Sequence, residues 1–352
     1  PFEFARMERG LRRLYNTGHY ESVWPSLALD DAGRVEIGLE LEERAPTYVS
    51  VGLLYDNSRG ANLDLEVSRG NLLRLGETLH GTIFLGEFYE GAEAGVRSSH
   101  FRRLPLGLDL LVRADRTRYS QDDRGDFVHT NGLAQISTSF PWWHHGLLLT
   151  GYRFHRQKGE KGAGTADWDE VDQSIFATAS VDNASHRYLA SSGGALDLDF
   201  EAYLPHRSSD SGLQRLSARG SYSVSLGRLG AMAQASVAGL TDSDRDFRFW
   251  NRVDVTRASL AIFDRDLYAS WVASGRVTAS YRVAENLLLW AAPAGGLNAD
   301  AFGLLRRARG RGGVEGGILQ RTPAGPILLG VATEQQRKTL PFIQLGYDVP
   351  FR

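Results

Sequence analysis

From about Thr47 onward the chain alternates apolar and polar residues with a period of two. Leu63, Leu65 and Val67 alternate with Asn62, Asp64, Glu66 and Ser68. Leu196, Leu198, Phe200, Ala202 and Leu204 alternate with Asp197, Asp199, Glu201 and Tyr203. Val277, Ala279, Tyr281 and Val283 alternate with Arg276, Thr278, Ser280 and Arg282. Successive side chains of a strand point to opposite faces, so each such segment is predicted to be a β-strand with one apolar and one polar face. Gly, Pro, Asp, Asn and Ser punctuate the segments at turns. Sixteen segments follow: 48–56, 61–69, 77–87, 88–98, 106–117, 127–139, 146–156, 171–182, 190–204, 212–226, 228–240, 269–284, 286–298, 309–321, 326–336 and 341–352. Most run to about 9–13 residues, which a tilted strand needs to cross a bilayer; a soluble sandwich averages about five or six.

The first 46 residues read differently. Phe4, Met7, Leu11, Leu14 and Tyr15 fall on one face of a helix, and Gly18 is placed to cap it. An extended segment from Val23 to Asp30, a turn at Asp31-Ala32-Gly33 and an alternating strand from Arg34 to Glu42 follow. This is a small α+β unit, too short to fold well alone. The chain starts at Pro1 with no signal peptide, so it is expected to be a processed or truncated piece of a longer protein.

Composition narrows the class. The chain has 352 residues and no cysteine, which excludes a disulfide scaffold, a thiol enzyme and a zinc–cysteine site. Forty basic against 42 acidic residues give a formal charge of −2, with no bulk attraction to nucleic acid. Mean hydropathy is −0.29 and no run approaches a membrane-spanning helix. A β-barrel escapes that test, because its hydropathy averages two opposed faces. Aromatic residues near segment ends fit interfacial girdles: Trp142, Trp143, Trp271 and Trp290, with Phe200, Tyr222, Tyr281, Tyr347 and Phe351. The fold class is therefore an all-β transmembrane barrel of about 16 antiparallel strands (47–352) behind an N-terminal α+β module (1–46). An even count puts both chain ends on one side, and the long 241–268 connection on the other.

The motifs carry a resemblance. Leu14-Tyr15-Asn16-Thr17-Gly18-His19-Tyr20, the 31–33 turn and the Val35–Glu42 strand resemble the C-terminal part of a polypeptide-transport-associated (POTRA) domain. The barrel resembles the bacterial surface antigen superfamily of outer-membrane assembly and two-partner-secretion factors. The resembling motifs are Asp182-Asn183 before Ser191-Ser192-Gly193-Gly194, Gly312-Gly313-Val314-Glu315-Gly316-Gly317, Thr322-Pro323-Ala324-Gly325-Pro326-Ile327 and the final Leu345-Gly346-Tyr347-Asp348-Val349-Pro350-Phe351. One POTRA remnant before sixteen strands is similar to the patatin-like type V (type Vd) autotransporters.

That resemblance implies a translocator or anchor in the bacterial outer membrane, with the N-terminal module in the periplasm and a covalently linked lipase passenger that this chain lacks. No Gly-x-Ser-x-Gly elbow is present, so the chain is read as non-enzymatic and without cofactor. Implied partners are outer-membrane lipid and lipopolysaccharide, the barrel-assembly machinery, periplasmic chaperones and, as an open option, a second copy in a homodimer. The alternatives are an assembly or two-partner-secretion factor and a passive porin. The superfamily's Val-Arg-Gly-Tyr/Phe loop motif is missing from Phe247–Arg257; Arg252 or Arg257 is the candidate to replace its arginine.

Candidate lumen residues are Asp109, Arg113, Asp197, Asp199, Glu201, Arg219, Arg276 and Arg282, which either tune conduction or cross-pair to hold the barrel round. Ile343, Leu345, Tyr347, Val349 and Phe351 are the candidate terminal assembly strand. His144-His145 is read as a girdle turn rather than a metal site, for want of further ligands. Arg306, Arg307, Arg309 and Arg311 form a basic cluster that fits anionic lipid phosphate, a solvated loop or the lumen wall. The glycines of 309–317 are expected to make a bend or a small-residue packing site in a strand rather than a phosphate loop.

Overall fold

In the computed structural model of the chain, the described residues are Met7, Leu11, twenty strands, and the adjoining Glu87, Leu106, Asn183, Leu204, Leu213, 227–228, Thr241, Ser270, 285–286 and Thr339. Met7 and Leu11 are helical. The strands are β1 (Tyr20–Leu29), β2 (Val35–Glu43), β3 (Thr47–Asp56), β4 (Gly60–Gly70), β5 (Glu77–Gly86), β6 (Tyr89–Ser98), β7 (Gly107–Gln121), β8 (Gly125–Trp143), β9 (Gly146–Glu160), β10 (Trp168–Asp182), β11 (Ser192–Tyr203), β12 (Gln214–Leu226), β13 (Leu229–Leu240), β14 (Asn251–Arg252), β15 (Tyr268–Ala269), β16 (Trp271–Ala284), β17 (Leu287–Ala299), β18 (Arg309–Thr322), β19 (Gly325–Glu334) and β20 (Leu340–Gly346).

Sixteen of these, β3–β13 and β16–β20, close into one antiparallel barrel, with β20 paired to β3. They correspond one to one with the sixteen segments that alternation marks out. Closure leaves no open sheet edge, which a backbone in lipid requires. β1 and β2 form a separate hairpin, with Leu27 opposite Ile37 and Pro25 opposite Leu39. β14 and β15 pair with each other inside the long connection between β13 and β16. Two-residue connections join β8 to β9, β12 to β13, β16 to β17 and β18 to β19 at the end of the barrel where β3 begins, and β5 to β6 at the other end. Between β12 and β13 the turn needs Gly227 at φ +62°, a left-handed position that glycine enters without a side-chain clash.

The two faces of the wall differ as the alternation requires. Leu198, Val277, Ile318, Leu329 and Val331 point outward and stay 42–54% exposed, which places them against lipid. Charged residues of the opposite parity are buried inward: Arg276 at 3%, Glu315 at 1%, Glu201 at 5% and Asp109 at 7%. Among the described residues no helix is long and apolar enough to cross a membrane. The spanning elements are strands.

Strand length varies around the ring. β7, β9 and β10 have 15 residues each and β8 has 19, whereas β3 and β5 have 10. The four longest strands are thus neighbours and form a tall arc, β7–β10. Among the described residues, the closing seam pairs only Phe342–Gly346 with Asp56–Gly52, while β7 pairs with β8 along its whole length.

Candidate functional site

The inner wall is the candidate site, and it has two unlike sectors. The first spans β5 to β12 and is dense in charge. Arg113 on β7 donates from Nε to Asp115 at 2.9 Å and from a terminal nitrogen to the Tyr89 hydroxyl. Its guanidinium lies over the rings of Phe84 and Tyr89, 5.9 Å from each centroid, and 3.9 Å from Glu93. Glu93 in turn lies 3.7 Å from His80. Asn131 donates to Asp115 at 3.3 Å, and Arg97 to Asp109 at 3.0 Å.

A second charged knot centres on Glu201 of β11. Its carboxylate accepts from the Ser174 hydroxyl at 2.6 Å and lies 3.4 Å from both Arg153 and His155. Arg153 also donates to Gln135 at 2.8 Å and covers the Phe176 ring at 3.8 Å. One arginine thus ties β8, β9, β10 and β11 together. Asp199 accepts from Thr178 at 2.7 Å and from Ser217 at 3.0 Å. Replacing Glu201 by alanine leaves Arg153 and His155 facing each other without their shared anion. We expect a loss of about 1–3 kcal/mol in denaturant unfolding of the detergent-solubilised barrel; unchanged stability would show the knot to be energetically idle.

The second sector spans β16 to β20 and sets a buried ion pair in an apolar lining. Arg276 of β16 reaches Glu315 of β18 at 2.6 Å, and the two side chains are 2% and 0% exposed. They meet across β17, whose inward Ala292 and Ala294 are too small to separate them. The Arg276 guanidinium stands 5.3 Å from the Trp290 ring, and Trp290 packs at 6.3 Å against Phe342 of β20. Gly330 on β19 lies under Phe342. A Cβ at Gly330 would fall 2.3 Å from the tip of that ring, so a side chain there would displace the aromatic. Leu319, Leu328 and Ala332 complete this apolar lining, all at most 3% exposed.

Each residue singled out from sequence can now be located. Asp109, Arg113, Asp197, Asp199, Glu201, Arg219, Arg276 and Arg282 share the inward parity. Asp197 faces Arg219 across β11 and β12. Arg282, exposed near the β16–β17 turn, is not brought to the others. Trp290 is a correction: it is not a girdle residue but an inward one, 4% exposed and paired with Ser280. The run Leu287-Leu288-Leu289-Trp290-Ala291-Ala292 is apolar on both faces, so alternation there cannot tell inside from outside. Trp142 faces outward at 57% exposure, and Trp271 faces outward opposite Gly239. Trp143 pairs with Gly146.

Arg252 lies on β14, opposite Tyr268. Ile343 and Leu345 pair with Leu329 and Ile327 on one side and with Tyr55 and Leu53 on the other. Arg309 and Arg311 are strand residues of β18, opposite Asn298 and Gly296. Arg257, His144, His145, Arg306, Arg307, Tyr347, Val349 and Phe351 lie outside the described residues. Sequence reasoning missed Arg153, His155, Ser174 and Glu315 as site residues. Glu315 had a readable signal: it is the one carboxylate in a run of glycines, on the parity of its strand that also carries Arg309 and Arg311.

A closed sixteen-strand barrel, apolar outside and charge-paired inside, is a transmembrane β-barrel. Solved structures share its fold. BamA from Haemophilus ducreyi lacking POTRA domains 1–3 superposes with a TM-score of 0.68 at 13% identity, covering 97% of this chain and 77% of that one. CdiB from Acinetobacter baumannii gives 0.66 at 12% identity over 98% and 68%, and CdiB from Escherichia coli 0.65 at 14% over 97% and 69%. At these identities the likeness is one of fold. No protein-family model and no curated protein matches the sequence.

Proposed function

We propose that this chain is the translocator and anchor barrel of a patatin-like autotransporter in the bacterial outer membrane, with residues 1–46 forming the C-terminal part of a periplasmic POTRA domain. The observation that carries the reading is the β1–β2 hairpin set three residues before the first strand of a barrel of the BamA and CdiB fold. The Haemophilus protein itself carries POTRA domains. The inner wall supports transport over passive diffusion. Its central charges are tied to one another and its β16–β20 sector is packed with aromatic and aliphatic side chains, whereas a porin keeps an aqueous channel. A second reading, an assembly or secretion factor for other polypeptides, is favoured by the same fold and differs in lacking a passenger of its own.

Cells making the full-length protein are expected to display its N-terminal passenger to protease added outside. The purified barrel in a planar bilayer is expected to pass only small, brief currents. A passenger that stays protected in cells would turn the reading to an assembly or secretion factor, and a large steady conductance to a porin.

A further inference from the structure

Ionisable residues at outward-facing positions are confined to one side of the barrel, β4–β10. On β3, β11–β13 and β16–β20, no outward-facing position is Asp, Glu, Lys, Arg or His. At the rim where β3 begins, Arg69 occupies such a position and is exposed, whereas Glu77 shares the parity but is buried. At the opposite rim, on the tall arc, Arg116 and Arg118 of β7 and Arg156 and Lys158 of β9 stand in two columns.

Register makes these columns the walls of a trough. Arg116 is opposite Thr130, and Thr130 is opposite Lys158; Arg118 is opposite Val128, and Gly132 is opposite Arg156. β8 thus floors the space with Gly132, Thr130 and Val128, and the columns stand two strand spacings apart, about 10 Å. Two carboxylates brace the arginines from outside: Glu90 is 3.6 Å from Arg116, and Asp169 is 2.9 Å from Arg156 in a two-pronged contact. Asp126 and Glu160 follow at the strand tips. Below the trough the same face turns apolar at Val112, Ile136 and Phe154, which are 57%, 50% and 40% exposed.

A charge facing lipid is costly at the bilayer midplane and nearly free at the headgroups. These cations therefore stand at headgroup depth, directly above a surface for acyl chains. Arginine's planar fork suits phosphate oxygens. We propose that this trough binds the phosphates of a phosphorylated glycolipid of the outer leaflet, whose acyl chains lie on Val112, Ile136 and Phe154. The site rests on the outer-membrane reading above but not on the passenger.

Binding of bisphosphorylated lipid A to the purified full-length protein, followed by native mass spectrometry, tests it. Arg118→Gln with Lys158→Gln leaves both braced ion pairs intact and is expected to weaken binding about tenfold. Arg69→Gln, at the other rim, is expected to leave it unchanged. Each single variant is expected to lose about threefold, which keeps the test open if the double variant fails to fold as judged by its heat-shifted gel migration. Unchanged affinity in the charge variants, equal binding of the dephosphorylated glycolipid, or displacement by millimolar inorganic phosphate would each overturn the site. A chain that binds the glycolipid but displays no passenger leaves the trough standing and overturns only the autotransporter reading.

Discussion

Replacing Glu315 by alanine is expected to destabilise the barrel by about 3–5 kcal/mol, because it strands the Arg276 guanidinium in a nearly dry pocket. The attraction between the two charges is offset by the cost of removing both from water, so the loss measures the orphaned charge more than the bond. A double variant sharpens the point. Arg276→Met with Glu315→Met removes both charges, fills similar volume beside Trp290 and Phe342, and is expected to restore most of the lost stability. Denaturant unfolding followed by tryptophan fluorescence reads both. If the double variant is as unstable as the single one, the pair serves something other than wall packing.

The second large effect lies on the opposite face. Leu198 is in the middle of β11, points outward and is 45% exposed. Leu198→Arg is expected to cost about 2–4 kcal/mol in a lipid bilayer, and Leu226→Arg, at the tip of β12, about 0–1 kcal/mol. Both leucines are exposed, so a water-soluble barrel would accept both arginines with little change. A depth-dependent penalty, measured by refolding into vesicles, is the signature of lipid. Equal small effects at the two positions would remove this chain from the membrane.

The contrast between the faces explains how far the sequence could be read. Strand number was legible because each strand carries its own alternation and its own turn residues, and neither depends on distant parts of the chain. The inward set was legible by parity alone: Asp197, Asp199 and Glu201 occupy every second position of one strand. Their partners were not legible. Glu201 meets Ser174, Arg153 and His155 only through the register of β9, β10 and β11, which no local pattern encodes. The Arg276–Glu315 contact is harder still, since it skips a strand and depends on Ala292 and Ala294 being small. Trp290 shows the converse failure. Where both faces of β17 are apolar, the period-two signal vanishes, and a tryptophan near a strand end is assigned to the membrane boundary by default. Here a buried cation beside it, not lipid, receives its ring.

The closing seam carries a kinetic consequence. Most barrel ladders join strands that follow directly in sequence, so they form as local hairpins with little chain to organise. The β20–β3 ladder alone joins the two ends, with Leu53 opposite Leu345, about 290 residues apart. Loop-closure entropy for such a span is on the order of 5 kcal/mol, and it must be met before the ladder returns anything. Folding should therefore run as a growing sheet whose last event is its own circularisation. A catalyst that holds the two ends together during insertion would accelerate that step more than any other.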